Sequence, residues 1–97
     1  MEKIRLGIIG IGNMGSEHCR LILSGQTPEI ALTCVADPRQ DRRDWAQQTL
    51  PAGTGIYADG MSLIRAHACD AVLIATPHEL HPPLAEAALR AGLHVLS

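Results

Sequence analysis

Residues 4–15, Ile-Arg-Leu-Gly-Ile-Ile-Gly-Ile-Gly-Asn-Met-Gly, decide the fold, because an apolar run leads directly into regularly spaced glycines. This spacing is typical of a strand-to-helix turn that holds the diphosphate of a dinucleotide. Gly10 permits the turn, Gly12 lets the backbone approach the pyrophosphate, and Gly15 allows the helix to pack closely on the strand. The phosphates would lie against the free N–H groups at the helix start. The predicted loop is completed by Ile11, Asn13 and Met14.

An acidic side chain about 20 residues beyond such a loop commonly binds the adenosine ribose hydroxyls. Asp37 stands there, at the end of the apolar run 30–36. Pro38 follows and disfavours a helical backbone at Asp37, which keeps that residue extended at the strand end. The sequence therefore predicts a ribose-binding carboxylate. The alternative is that Asp37 only ends a strand or begins a turn, just as glycines alone also mark ordinary turns.

Three arginines follow the predicted ribose-binding position: Arg39, Arg42 and Arg43. Such residues usually form the solvated face of a short helix, but one could neutralise the 2′-phosphate of NADP. The carboxylate of Asp37 would repel that phosphate. We therefore expect NAD as the cofactor, with NADP possible and Arg39 the arginine most able to reverse the preference.

Composition limits the size and the partners of the protein. Its 97 residues, 46% of them apolar, suffice for one domain but not for a complete dinucleotide fold with a substrate domain. A net charge of −2 and only two aromatic residues argue against a nucleic-acid partner. Three widely spaced cysteines indicate reduced thiols and a cytoplasmic location. The N-terminal apolar run is too short and too interrupted for a signal peptide or a membrane span.

Hydrophobic periodicity predicts alternating strands and helices. Met14, His18, Leu21 and Ile22 share one face of a first helix. Further helices are predicted over 41–50, after a cap at Asp59, and from position 80 to 91, with strands at 56–57, 71–76 and 93–96. The second glycine cluster, at 53–55, precedes a strand and is interpreted as a simple turn.

The resulting βαβαβαβαβ pattern predicts an α/β fold, a Rossmann-type doubly wound parallel sheet in the order 3-2-1-4-5, lacking the sixth strand. Strands 1 and 4 would be neighbours, and ligands bind beyond their carboxyl ends. The glycine loop and the segment Thr76-Pro77-His78-Glu79-Leu80-His81 should therefore face the same ligand. The second segment is expected nearer to the nicotinamide.

With these motifs placed, the sequence resembles the N-terminal part of the glucose-fructose oxidoreductase, inositol dehydrogenase and rhizopine catabolism (Gfo/Idh/MocA) family. The resemblance spans the chain and rests on four segments: 8–15, 35–38, 70–77 and 87–96. It implies NAD- or NADP-dependent hydride transfer between a nicotinamide and a sugar, cyclitol or related polyol. It also implies that Thr76, Pro77 and His81 lie beside the nicotinamide ribose. His78 departs from the Asn that is common in the family.

The resemblance also implies what these residues do not supply. Family members continue from the fifth strand into Glu-Lys-Pro and then into an α/β domain that carries a catalytic His. No catalytic residue is therefore assigned within 1–97, and we expect this polypeptide alone to lack dehydrogenase activity. An unpaired strand edge and uncovered apolar side chains predict self-association, with a homo-oligomer as the expected state.

Three alternatives remain open from the sequence. An S-adenosylmethionine methyltransferase shares a glycine loop and an acidic second-strand end, although it gives no reason for Thr76-Pro77. A truncated module that binds a nucleotide without catalysis would show the same motifs. A metal site at His78 and His81 is disfavoured, because a catalytic zinc needs at least a third protein ligand.

Overall fold

A computed structural model of the protein describes residues 3–77 and 80–96. Strands and helices alternate strictly along the chain. The strands are β1 (Ile4–Ile9), β2 (Ile30–Ala36), β3 (Gly55–Tyr57), β4 (Ala71–Ile74) and β5 (His94–Leu96). The helices are α1 (Asn13–Leu23), α2 (Gln40–Thr49), α3 (Gly60–Arg65) and α4 (His81–Arg90).

The strands form one parallel sheet in the order β3-β2-β1-β4-β5. This confirms the predicted order and the Rossmann-type fold. Ile8, Val35 and Val72, from the three central strands, have no exposed surface. Such burial is expected of a parallel sheet that is covered on both faces. The carboxyl ends of β1 and β4 therefore lie side by side, where the winding of the sheet reverses.

Two apolar clusters lie on opposite faces of this sheet. One joins Cys19 of α1 and Ala46 of α2 to the strands, and the other joins Leu63 of α3 and Leu84 of α4 to them. The helices are thus divided in pairs between the two faces, as a doubly wound fold requires. Among the described residues the cysteines are unbridged and buried, which fits their predicted role as small apolar side chains.

The apolar face predicted for α1 is partly wrong. Met14 is 71% exposed and Leu21 41%, whereas the buried residues of the helix are Gly15 and Cys19. Gly15 must face β1, and the residues that follow it by one helical turn face the same way. Of the predicted face, Ile22 alone packs against the core cluster.

The remaining helix signals are confirmed with small shifts of their ends. The Asp59 carboxylate accepts a hydrogen bond from the Ser62 amide at 2.8 Å and caps α3, which lowers the pKa of Asp59.

β4 ends at Ile74, two positions earlier than expected, so Ala75 and Thr76 belong to the following loop. In the described part of the chain, no helix is long and apolar enough to cross a membrane.

Candidate dinucleotide site

A crevice of about 570 Å³ lies beyond the carboxyl ends of β1, β2 and β4. Three segments that are distant in sequence line it: the glycine loop, the chain after β2 and the chain after β4. The lining residues are Gly10, Gly12, Asn13, Met14, Asp37, Pro38, Arg39, Arg42, Ala75, Thr76, Pro77 and Leu80. The reversal point of the sheet therefore carries a cavity of the size that ligand sites commonly have.

The glycine loop adopts the geometry that its spacing predicts. Gly10 has φ +93°, a conformation that side chains with a Cβ rarely adopt. A Cβ on Gly15 would overlap the carbonyl oxygen of Gly10, so only glycine lets α1 approach β1 this closely. Gly12 is the N-cap of α1, and within the described residues no side chain caps the helix and no acidic residue stands in its first turn. Neither a capping side chain nor an acidic residue of the first turn therefore occupies the helix start, as an anion site requires.

Asp37 is 1% exposed and ties the second strand to the glycine loop. Its Oδ2 accepts a hydrogen bond from the Ile11 amide at 2.9 Å, and its Oδ1 accepts one from the Arg39 amide at 2.9 Å. A buried carboxylate that accepts hydrogen bonds from backbone amides has the partners that buried polar groups need. Asp37 therefore does more than end a strand, because it fixes the loop that follows β1.

The arginines after Asp37 have different partners. Arg42 Nη1 donates to Asp37 Oδ2 at 3.3 Å. Arg39 forms two hydrogen bonds with the carboxylate of Asp41, which lower the pKa of Asp41. Arg43 donates to the carbonyl oxygens of Asp37 and Pro38. The guanidinium that covers the acidic side chain is thus that of Arg42, and sequence reasoning had singled out Arg39.

The opposite wall of the crevice is the loop after β4. The hydroxyl oxygen of Thr76 is buried and finds no hydrogen-bond partner among residues 3–77 and 80–96. His81 Nε2 lies 2.6 Å from the Thr76 carbonyl oxygen, and since a carbonyl only accepts, that nitrogen donates. Buried hydroxyls usually have partners, and within the described residues Thr76 shares this exception with Thr27.

Most of the predicted site residues meet in this crevice. The exceptions are Ile11 and Gly15, which build the loop from beneath, and His81, which binds the Thr76 backbone. His78 lies outside the described residues. Sequence reasoning missed Ala75 and Leu80 as lining residues and gave no special weight to Arg42, whose only signal was its position five residues after Asp37.

The family comparison decides the class of the protein. Residues 4–97 match the model of a family described as an oxidoreductase family with an NAD-binding Rossmann fold. The chain belongs to this family. It is an NAD-binding Rossmann domain, and this assignment favours the dinucleotide over the methyltransferase alternative.

Relatives of the chain include inositol dehydrogenases. An inositol 2-dehydrogenase of Saccharopolyspora erythraea is 36% identical over 98 residues, and the match covers 98% of this chain and 28% of the relative. An inositol 2-dehydrogenase of Corynebacterium glutamicum is 34% identical over 95 residues, with the same coverage. The chain thus spans somewhat more than a quarter of the length of these relatives.

Solved structures agree with the sequence relatives. The scyllo-inositol dehydrogenase of Lactobacillus casei, solved with NAD(H) and scyllo-inositol, superposes with a TM-score of 0.88 at 29% identity, over 97% of this chain and 27% of that one. The WlbA dehydrogenase of Bordetella pertussis, solved with NADH and UDP-GlcNAcA, gives 0.85 at 26% identity, over 97% and 28%. Both similarities extend over nearly the whole of this chain.

Proposed function

We propose that the crevice binds NAD and that the chain is the cofactor-binding part of an enzyme that transfers hydride between a nicotinamide and a sugar, cyclitol or related polyol. The observation that carries the proposal is the contact between Gly15 and the Gly10 carbonyl. This contact brings the uncapped start of α1 to the wall of a crevice that Asp37 and Thr76 also line. The inositol dehydrogenases that the chain resembles support the polyol class.

The phosphate side of the site follows from the backbone. The amides of Gly12, Asn13 and Met14 lie at the start of α1, where an anion is favoured by the helix dipole and by unpaired N–H donors. Gly10 and Gly15 set the path of the loop, and Ile11 is held by Asp37. We assign the diphosphate to this loop.

The two ribose ends are assigned to the two flanking walls. Asp37 accepts hydrogen bonds from the adenosine ribose, with Arg39 at the rim of that pocket. Thr76 lines the nicotinamide side together with Pro77 and, by family resemblance, His78, and a rotation about its χ1 would bring its buried hydroxyl to the ligand. His81 acts through Thr76, because its imidazole fixes the carbonyl of that residue. Bound NAD would accept or deliver the hydride, whereas these side chains only position it.

Assembly and location are also proposals. Exposed apolar side chains on α1 support a homo-oligomer, because such surfaces favour association. The free cysteines support a cytoplasmic location. The acidic net charge and the scarcity of aromatic residues support a site for a small molecule, with no role in nucleic-acid or membrane binding.

Calorimetric titration of residues 1–97 with NAD tests the proposal, with S-adenosylmethionine as the control ligand. We expect one NAD per chain, no binding of S-adenosylmethionine, and no turnover of a polyol panel. Binding of S-adenosylmethionine in preference to NAD would overturn the assignment. Robust polyol turnover by residues 1–97 would overturn the expectation that the chain binds the cofactor without catalysis.

The role of Asp37 has its own test. Asp37→Ser removes the charge that repels a 2′-phosphate, so we expect the ratio of NADP to NAD affinity to rise by about tenfold. The variant must first be shown to fold, because the Ile11 amide loses its partner. An unchanged ratio in the folded variant would contradict a ribose-binding role.

A further inference from the structure

Arg42 lies between the acidic residue and the glycine loop. Its Nη1 is 3.3 Å from Asp37 Oδ2. A Cβ placed on Gly12 would lie 3.1–3.2 Å from three atoms of the same guanidinium, the central carbon and both terminal nitrogens. The guanidinium therefore lies flat against the Gly12 backbone and covers the carboxylate from the crevice side.

This position coincides with the place assigned to the adenosine ribose. Asp37 is 1% exposed, so its carboxylate is closed to a ligand as long as Arg42 stays there. The side chain of Arg42 is 38% exposed and long, and it reaches solvent along the crevice. Displacing it removes a charged partner from a buried carboxylate, so a ligand hydroxyl must replace that hydrogen bond.

We propose that Arg42 selects the cofactor, so that this site accepts NADP as well as NAD despite its acidic residue. The inference rests on the proposed function, since it concerns the same crevice. A ribose with a free 2′-hydroxyl displaces the guanidinium and donates to Asp37. A ribose with a 2′-phosphate keeps the guanidinium near, bound to the phosphate and still neutralising the carboxylate.

Charge explains why an arginine is required for the second case. A 2′-phosphate next to an unpaired carboxylate is repelled, which is the usual reason why an acidic residue favours NAD. A guanidinium offers its donors in a planar fork, so it can bind carboxylate and phosphate oxygens with different N–H groups. Arg42 thereby places a positive charge between the Asp37 carboxylate and the 2′-phosphate, so that neighbouring charges are opposite in sign.

The neighbouring arginines are poorly placed for this role. Arg39 is held by two hydrogen bonds to Asp41, and its side chain is 60% exposed. Arg43 is occupied by the carbonyl oxygens of Asp37 and Pro38 and by Gln40. Of the three arginines, Arg42 alone contacts both Asp37 and the surface of Gly12.

The experiment measures NAD and NADP dissociation constants of wild type, Arg42→Gln and Arg65→Gln by calorimetry, at low and high salt. We expect wild type to bind NADP within about tenfold of NAD. Arg42→Gln should weaken NADP by at least tenfold and leave NAD within twofold or tighter. Arg65→Gln, the matched control, replaces an exposed arginine of α3 that does not line the crevice, and it should change neither constant by more than twofold. Salt should weaken NADP more than NAD in wild type, and this difference should disappear in Arg42→Gln.

Outcomes separate this inference from the proposed function. If wild type binds NAD and Arg42→Gln leaves the NADP constant unchanged, the inference fails while the proposed function stands. The same holds if wild type binds NAD but not NADP, or if Arg65→Gln weakens NADP as much as Arg42→Gln does. If wild type binds neither dinucleotide, both fail. Thermal unfolding of each variant checks that the affinities refer to folded protein.

Discussion

Two glycine-rich segments, 10–15 and 53–55, have similar compositions and very different surroundings. In the first, a Cβ on Gly15 would overlap the Gly10 carbonyl oxygen, and one on Gly12 would meet the Arg42 guanidinium. In the second, Gly53 has φ +96° and no described atom within 4 Å of an added Cβ. Gly15 is thus required by a close contact with backbone, whereas Gly53 is required by its backbone conformation alone. The first segment opens a long helix, whereas the second leads into the short strand β3.

The largest effect is expected from Gly15→Ala. The added methyl group would collide with backbone, which cannot turn aside, so α1 must move away from β1. We expect a loss of about 3 kcal/mol or more in the free energy of unfolding, at the upper end of overpacking costs, and loss of NAD binding. Urea denaturation and NAD titration measure the two effects. A variant that unfolds and binds like wild type would show that the close approach is not needed.

Gly12→Ala separates folding from binding within the same segment. Gly12 does not have a positive φ, and the atoms nearest to the new methyl group belong to the end of the flexible Arg42 side chain. Because alanine is a poorer N-cap than glycine, stability should fall by about 1 kcal/mol, whereas NAD affinity should fall about tenfold because the diphosphate can no longer approach the backbone. Equal NAD affinity in the two proteins would place the diphosphate elsewhere.

Thr76→Val tests the wall of the crevice that faces the first segment. Its buried hydroxyl lacks a partner among the described residues, so its removal should leave stability unchanged or raise it by about 1 kcal/mol. NAD affinity should fall about fivefold, the contribution of one neutral hydrogen bond. Thr27→Val is the matched control. Among the described residues Thr27 has the same unpaired hydroxyl, but it precedes β2 at the amino end of that strand, away from the crevice. Identical NAD affinities in all three proteins would remove Thr76 from the site.

The smallest effect belongs to the second segment. Gly53→Ala places a side chain at φ +96°, which should cost about 1 kcal/mol of stability. It should leave NAD affinity unchanged, because residues 53–55 do not line the crevice. A tenfold loss of NAD affinity in Gly53→Ala would show that the two segments are not functionally distinct.

Local sequence patterns were sufficient to predict the turn after β1 and the order of the strands. The glycine spacing predicted the turn after β1, and the alternation of strands with helices predicted the strand order. The phase of α1 was not predicted correctly, because the contact of Gly15 with β1, and not the most apolar stripe, decides which residues are buried. Periodicity alone cannot weigh one close backbone contact against several apolar side chains.

The candidate site was likewise predicted in part from the sequence. Asp37 and Thr76 were placed at strand ends by the pattern, and both line the crevice. The position of the Arg42 side chain was not predictable. It depends on which of the three nearby arginines binds Asp41 and which binds a backbone carbonyl oxygen. The unpaired hydroxyl of Thr76 likewise appears only when the surrounding atoms are in place.

Amide chemical shifts of isotope-labelled protein, recorded while NAD is added, test the central claim most directly. We predict large shifts for the amides of Gly12, Asn13 and Met14, together with those of Asp37 and Thr76, and none for residues 53–55. Saturation should occur with one NAD per chain. Absence of shifts in the folded protein at millimolar NAD, or shifts centred on residues 53–55, would contradict the account.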